Sequence, residues 1–169
     1  MAKMSVNHAT VTPTATADTA DLVDSTYPFA LQGASTTQRT SIIEVQLGGQ
    51  AGASSPTFML LARDSQLATG SLTADATMNS APLDPATAAL AAPCVAFNKA
   101  ATLKPRRDVA KHLLNLSFNA FGGIVRWVAA PGEEIYMVGN TASFGETSLS
   151  AFTGGTAGLL GAHMIYETA

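Results

Sequence analysis

The sequence predicts an all-β domain: a jelly-roll-like β-sandwich of about eight strands, with one short helix and an extended N-terminal arm. Three observations lead there. Short apolar runs, several alternating with polar residues, recur along the chain. Turn signals rich in Gly, Pro, Asn and Ser separate them, and only one segment carries helix-start chemistry. Short strands at such spacing suit a sandwich or jelly roll. A chain of 169 residues is of ordinary size for one domain.

Residues 1–26 read as the arm. Thr10 to Thr19 shows no apolar periodicity, so it cannot bury enough to offset its own ordering entropy. Such a segment is either a free terminus or an arm that orders against a neighbouring subunit. The single sandwich domain is expected over 27–169, opening at Tyr27-Pro28-Phe29-Ala30-Leu31. In Thr40 to Leu47, Ile43, Val45 and Leu47 fall on one face and Glu44 and Gln46 on the other, the period of a half-buried strand. Gly48-Gly49 stops it. Thr57 to Arg63 is apolar on both faces and suits a strand covered on both sides, although periodicity alone leaves a helix open.

Residues 64–82 read as a long surface loop. Asp84 can cap a helix, Pro85 fits its first position and Pro93 ends it, so a two-turn helix is expected near Asp84 to Leu90. Further on, Leu114, Leu116 and Phe118 alternate with Asn115 and Ser117. Gly122-Gly123 turns the chain into Ile124 to Ala129, and Pro131-Gly132-Glu133-Glu134 turns it again before Ile135 to Val138. Thr147 to Phe152 and His163 to Glu167 complete the strands. There is no internal repeat of fixed period.

Composition narrows the function classes. Charged residues are 12% of the chain, against about 25% in an average soluble domain. A free monomer usually coats itself in Lys and Glu. A surface of Ala, Ser, Thr, Asn and Gly belongs either to a small neutral domain or to one covered by neighbours. The second reading implies self-association as a dimer or trimer. A net charge of −3 gives no general attraction to nucleic acid, and few aromatics are present to stack bases. The single cysteine, Cys94, forms no internal disulfide and no paired-cysteine zinc site; it lies in an apolar run and reads as a small buried hydrophobe. No apolar run is long enough to span a membrane, and the N-terminus lacks a signal peptide's apolar segment, so the chain is expected to be made and kept in the cytosol.

Catalytic and cofactor patterns do not emerge. The histidines are His8, in the arm, His112, alternating with Leu114 and Leu116, and His163, alternating with Ile165. None sits in a nucleophile–base motif. Glu133-Glu134 reads as turn solvation, because adjacent residues point apart. Asp18, Asp21 and Asp24 lack the Gly and terminal Glu of a calcium loop. The Gly-Gly pairs match no phosphate or dinucleotide loop. Trp127 shares a strand face with Val125 and Ala129 and reads as core. No cofactor is expected. One cluster stands out: Lys104-Pro105-Arg106-Arg107-Asp108-Val109-Ala110-Lys111 holds four of the nine basic residues. Lys104, Arg106, Arg107 and Lys111 are part of a solvated loop before a strand, a docking patch for a partner's acidic surface or, least favoured because one short cluster on an acidic protein attracts phosphate little, a nucleic-acid contact.

The stretch from Leu114-Asn115-Leu116-Ser117-Phe118 through Gly122-Gly123-Ile124-Val125-Arg126-Trp127 to Pro131-Gly132-Glu133-Glu134 resembles small structural proteins of tailed bacteriophages. So do the Ser25-Thr26-Tyr27-Pro28-Phe29 opening and Gly139-Asn140-Thr141-Ala142-Ser143. The capsid cement or decoration proteins among these are small jelly rolls seated between major capsid subunits. The resemblance implies a non-catalytic virion protein, made in the host cytoplasm, with itself and the major capsid protein as partners. It transfers no site residues. The alternative is a tail- or fibre-associated module that binds a host glycan.

Overall fold

The computed structural model describes residues 2–11, 29–32, 40–66, 72–74, 80–87, 95–100, 106–137, 147–153 and 158–168. All regular structure there is strand. In chain order the strands are β1 Ala2–Val11, β2 Phe29–Gln32, β3 Thr40–Gly49, β4 Pro56–Gln66, β5 Leu72–Ala74 and β6 Ala81–Pro82. They continue with β7 Val95–Ala100, β8 Arg106–Asn119, β9 Ile124–Val128, β10 Ile135–Met137, β11 Thr147–Thr153 and β12 Leu160–Thr168. They form two six-stranded sheets in which every pairing is antiparallel. The first runs β6-β1-β12-β3, and the far side of β3 is shared by β9 and β10. The second runs β5-β7-β2-β11-β4-β8.

The core follows from strand alternation. Along β12, Leu160, Ala162, Met164 and Tyr166 are buried while the residues between them are half exposed. They join Ile42, Val45 and Leu47 of β3, Met137 of β10 and, from the second sheet, Met59 and Leu61 of β4. Val125 and Trp127 of β9 and Leu114, Leu116 and Phe118 of β8 pack against this cluster, as their alternation predicts. One core therefore draws on both sheets. A fully buried Met or Leu here contributes about 1.5–3 kcal/mol. β4 is buried on both faces, with Met59 and Leu61 on one and Leu60 and Ala62 on the other.

The structure differs from the sequence expectations at several places. In β3, Ile42 rather than Ile43 enters the core. The ladder pairs Ile165 with Glu44 but Tyr166 with Ile42, so Ile43 is an extra residue. This β-bulge flips the alternation on one side of it. A second bulge at Leu113 sets His112 opposite Ala62, off the face of Leu114. No helix is seen from Asp84 among the described residues: the Asp84 carboxylate accepts the Ala86 N–H at 2.9 Å and the Asp84 carbonyl accepts the Thr87 N–H at 3.0 Å, closing one turn. Residues 88–94, which would carry the second turn, lie outside the described residues. The loop expected over 64–82 contains the end of β4 and the short strands β5 and β6. Within the stretch read as an arm, Ala2–Val11 is β1, paired with β12 on one side and β6 on the other. Residues 12–28, Cys94, Lys104 and the aspartates of the arm lie outside the described residues.

Two connections that cross between the sheets meet at one end of the molecule. Residues 50–55 lead from β3 to β4 and residues 120–123 from β8 to β9. Backbone bonds tie them: Ala51 N–H to the Ala120 carbonyl at 3.0 Å, Ala120 N–H to the Ser55 carbonyl at 2.9 Å, Gly49 N–H to the Gly123 carbonyl at 2.9 Å. Asn119 completes the knot. Its Oδ1 accepts the Ser55 and Phe121 N–H groups, both at 3.0 Å, and its Nδ2 donates to Ser54 Oγ at 2.9 Å. Gly49 is required by the close approach, since a Cβ there would lie 2.0 Å from the Ala120 oxygen.

Candidate functional site

The outer face of the first sheet gathers the polar chemistry of the described residues. Register lines up Asn7, His163, Gln46 and Arg126 as one row across β1, β12, β3 and β9, and Ser5, Ile165, Glu44 and Val128 as the next. Neighbouring rows interact. Ser5 Oγ lies 3.0 Å from His163 Nε2, and Asn7 Nδ2 donates to Ser5 Oγ at 3.3 Å. Arg126 grips Glu44 with two parallel bonds, Nε to Oε1 at 2.7 Å and Nη2 to Oε2 at 2.8 Å. Lys3 Nζ stands 3.6 Å from Glu167 Oε1.

The Glu44–Arg126 pair is the strongest electrostatic feature. Its planar fork geometry is that of a bidentate guanidinium–carboxylate pair. The Glu44 side chain is 11% exposed and that of Arg126 58%. The hydrogen bonds from Arg126 hold the Glu44 carboxyl below the ordinary glutamate value, against the opposing effect of burial. Glu44 in turn raises the Arg126 guanidinium. At the 130–133 turn, where Gly132 takes φ 87°, Glu134 is held low by its own backbone N–H and by that of Gly132. This answers what the Glu133-Glu134 pair does: Glu134 satisfies a turn.

Two shallow hollows mark the face. One, of about 390 Å³, has a floor of Gly48 and Gly161 and polar walls of Asn7, Gln46, Gln50 and His163. The other, of about 410 Å³, lies between Lys3, Glu44, Leu83, Val128, Glu134 and Glu167. Ser5 and His163 have the spacing of a nucleophile and its base. They lie half-buried on a sheet face, however, and among the described residues no hydrogen bond orients the second imidazole nitrogen, as a catalytic base requires. Among the described residues no three His, Cys, Asp or Glu side chains converge as metal ligands do.

The basic cluster lies elsewhere. Arg106, Arg107 and Lys111 belong to β8, on the outer edge of the second sheet, rather than to a loop before a strand. Arg106 and Arg107 pair in register with Gln66 and Asp64; the ladder then slips before His112 meets Ala62, and Lys111 is exposed in the slipped stretch. The polar pairs of the first sheet were not legible in the sequence, because Ser5–His163 and Glu44–Arg126 join positions 158 and 82 residues apart. The chain matches no protein-family model, no curated protein and no solved structure.

Proposed function

We propose that this chain is a non-catalytic virion structural protein, a capsid cement or decoration protein that stabilises a phage head by bridging major capsid subunits. Strand order supports the fold on which the proposal rests. Setting aside β5, β6, β7 and β10, the sheets read β1-β12-β3-β9 and β2-β11-β4-β8. The pairs β1·β12, β2·β11, β3·β9 and β4·β8 are the rungs of one long hairpin. The pairs β12·β3 and β11·β4 are the contacts made when such a hairpin is rolled up. This order supports reading the chain as an eight-stranded jelly roll, and jelly rolls recur in viral capsid and lectin domains. Fold alone does not give function. The low charge fraction and the likeness to phage structural proteins select the capsid role.

In this reading copies of the chain associate with one another and with the major capsid protein, and Lys104, Arg106, Arg107 and Lys111 dock on an acidic surface. A rigid two-layered body bridges subunit seams by buried area rather than by a reaction, and many copies act with avidity. The lectin alternative, a tail- or fibre-associated glycan-binding module, would use the hollow of Asn7, Gln46, Gln50 and His163. Sugar sites usually present Trp, Tyr or Phe rings, and among the described residues none of these lines that hollow.

Quantitative mass spectrometry of purified particles tests the role. A high copy number that tracks the major capsid protein supports it; a handful of copies per particle, or none, overturns it. Replacing Arg106 and Arg107 with Ala should weaken binding to bare heads and flatten its salt dependence, and unchanged binding removes the cluster from the interface.

A further inference from the structure

Among the described residues β9 pairs with β3 on one side and with no strand on the other. Gly49 N–H bonds the Gly123 carbonyl and Ala129 N–H bonds the Ile43 carbonyl, so the odd-numbered residues of this segment turn their backbone groups toward β3. By alternation, Ile124, Arg126 and Val128 turn theirs away from β3, to the sheet edge. Among the described residues nothing bonds them there. The same three side chains are exposed: Ile124 to 65% and Val128 to 53%, with Arg126 between them. Long apolar edge strands are a standing hazard that proteins usually blunt with a charge. Here the guarding charge is offset, because the Nε–Nη2 edge of the Arg126 guanidinium is engaged by the carboxylate of Glu44 on the adjacent strand.

We propose that two copies of this chain join through antiparallel pairing of β9 with β9 of the partner, about a two-fold axis at Arg126. Three outward residues on each strand supply three N–H and three C=O groups, and this register satisfies all of them with six bonds. It sets Ile124 against Val128 of the other copy twice over, an apolar cross-strand pair at each end. At the centre it brings together two neutralised Glu44–Arg126 pairs instead of two bare cations. A two-fold interface must be self-complementary, and this edge is so in hydrogen bonding, in shape and in charge. The occupant is a second copy rather than a foreign strand because the same short segment provides both halves. The inference rests on the proposed self-association only in narrowing it to one edge; solution mass tests the edge, and particle composition tests the role.

Analytical ultracentrifugation of the full chain over a wide concentration range, with three proteins, decides it. The wild type is expected to be a dimer. Ile124→Lys with Val128→Lys places like charges opposite each other at both ends and should weaken the dimer at least tenfold. Ile124→Lys with Val128→Glu places opposite charges there and should restore it to within a few-fold. Both double variants leave the ladder to β3 untouched, and circular dichroism confirms that they fold. Amide exchange gives a second readout: Ile124, Arg126 and Val128 should gain protection as the dimer forms, while Val125 and Trp127 are protected throughout. A wild-type monomer or trimer, equal dimerisation by the two double variants, or exchange at the three amides that ignores concentration each overturns the proposal.

Discussion

Asn119 offers the sharpest test of how this fold is held. Its side chain makes three hydrogen bonds to the corner where both sheet crossings meet. In Asn119→Ala all three are lost, and their costs differ. Ser55 is 1% exposed, so its N–H is left unpaired away from water, which costs about 1–3 kcal/mol. Phe121 and Ser54 are exposed, and water replaces Asn119 at both for roughly 0.5 kcal/mol or less in sum. The expected loss is therefore about 1–3.5 kcal/mol, or roughly 2–14 °C in Tm for a domain of this size. Asn119→Asp keeps an oxygen for both N–H groups and forfeits only the bond to exposed Ser54, so it should stay within about 1 kcal/mol of wild type. Urea unfolding followed by Trp127 fluorescence measures both. If Asn119→Ala unfolds at the wild-type midpoint, or if the Asp variant is damaged as badly as Ala, the corner is not held by this carboxamide.

Two further predictions concern the first sheet. Deleting residues 1–11 removes β1 and strips β12 of a ladder from Ala2 to Val11; the protein should lose most of its cooperative thermal transition, whereas a removable arm would leave Tm unchanged in calorimetry. Glu44 predicts a pH dependence. Its folded-state pKa lies below the ordinary 4.5, so the pair's contribution is fully present above that value and is lost as pH falls through the depressed folded value. The stability gap between wild type and Glu44→Gln should be widest near neutrality and shrink in acid, and a gap independent of pH in urea titrations would refute the assignment.

The sequence by itself determined the fold class and most strands. Alternation placed Val45, Leu47, Leu114, Leu116, Phe118, Val125 and Trp127 on buried faces, and the doubly apolar run around Met59 to Ala62 marked a covered central strand. These are local signals, because a strand's period is written in its own residues. The signal for β1 was present too: Lys3, Ser5 and Asn7 alternate with Met4 and Val6 ahead of the Thr-rich stretch. What only the tertiary structure decided is everything that depends on register. The extra residue at Ile43 sends Ile42 inward, and nothing in Ser41-Ile42-Ile43-Glu44 announces which isoleucine the partner strand will accept. The capping chemistry at Asp84 is used to close a turn at Asp84–Thr87. Ser5–His163 and Glu44–Arg126 form because strands far apart in the chain become neighbours. Sequence specifies each strand's two faces; which strand lies beside it, and in what phase, is fixed only when the whole chain has closed on one core.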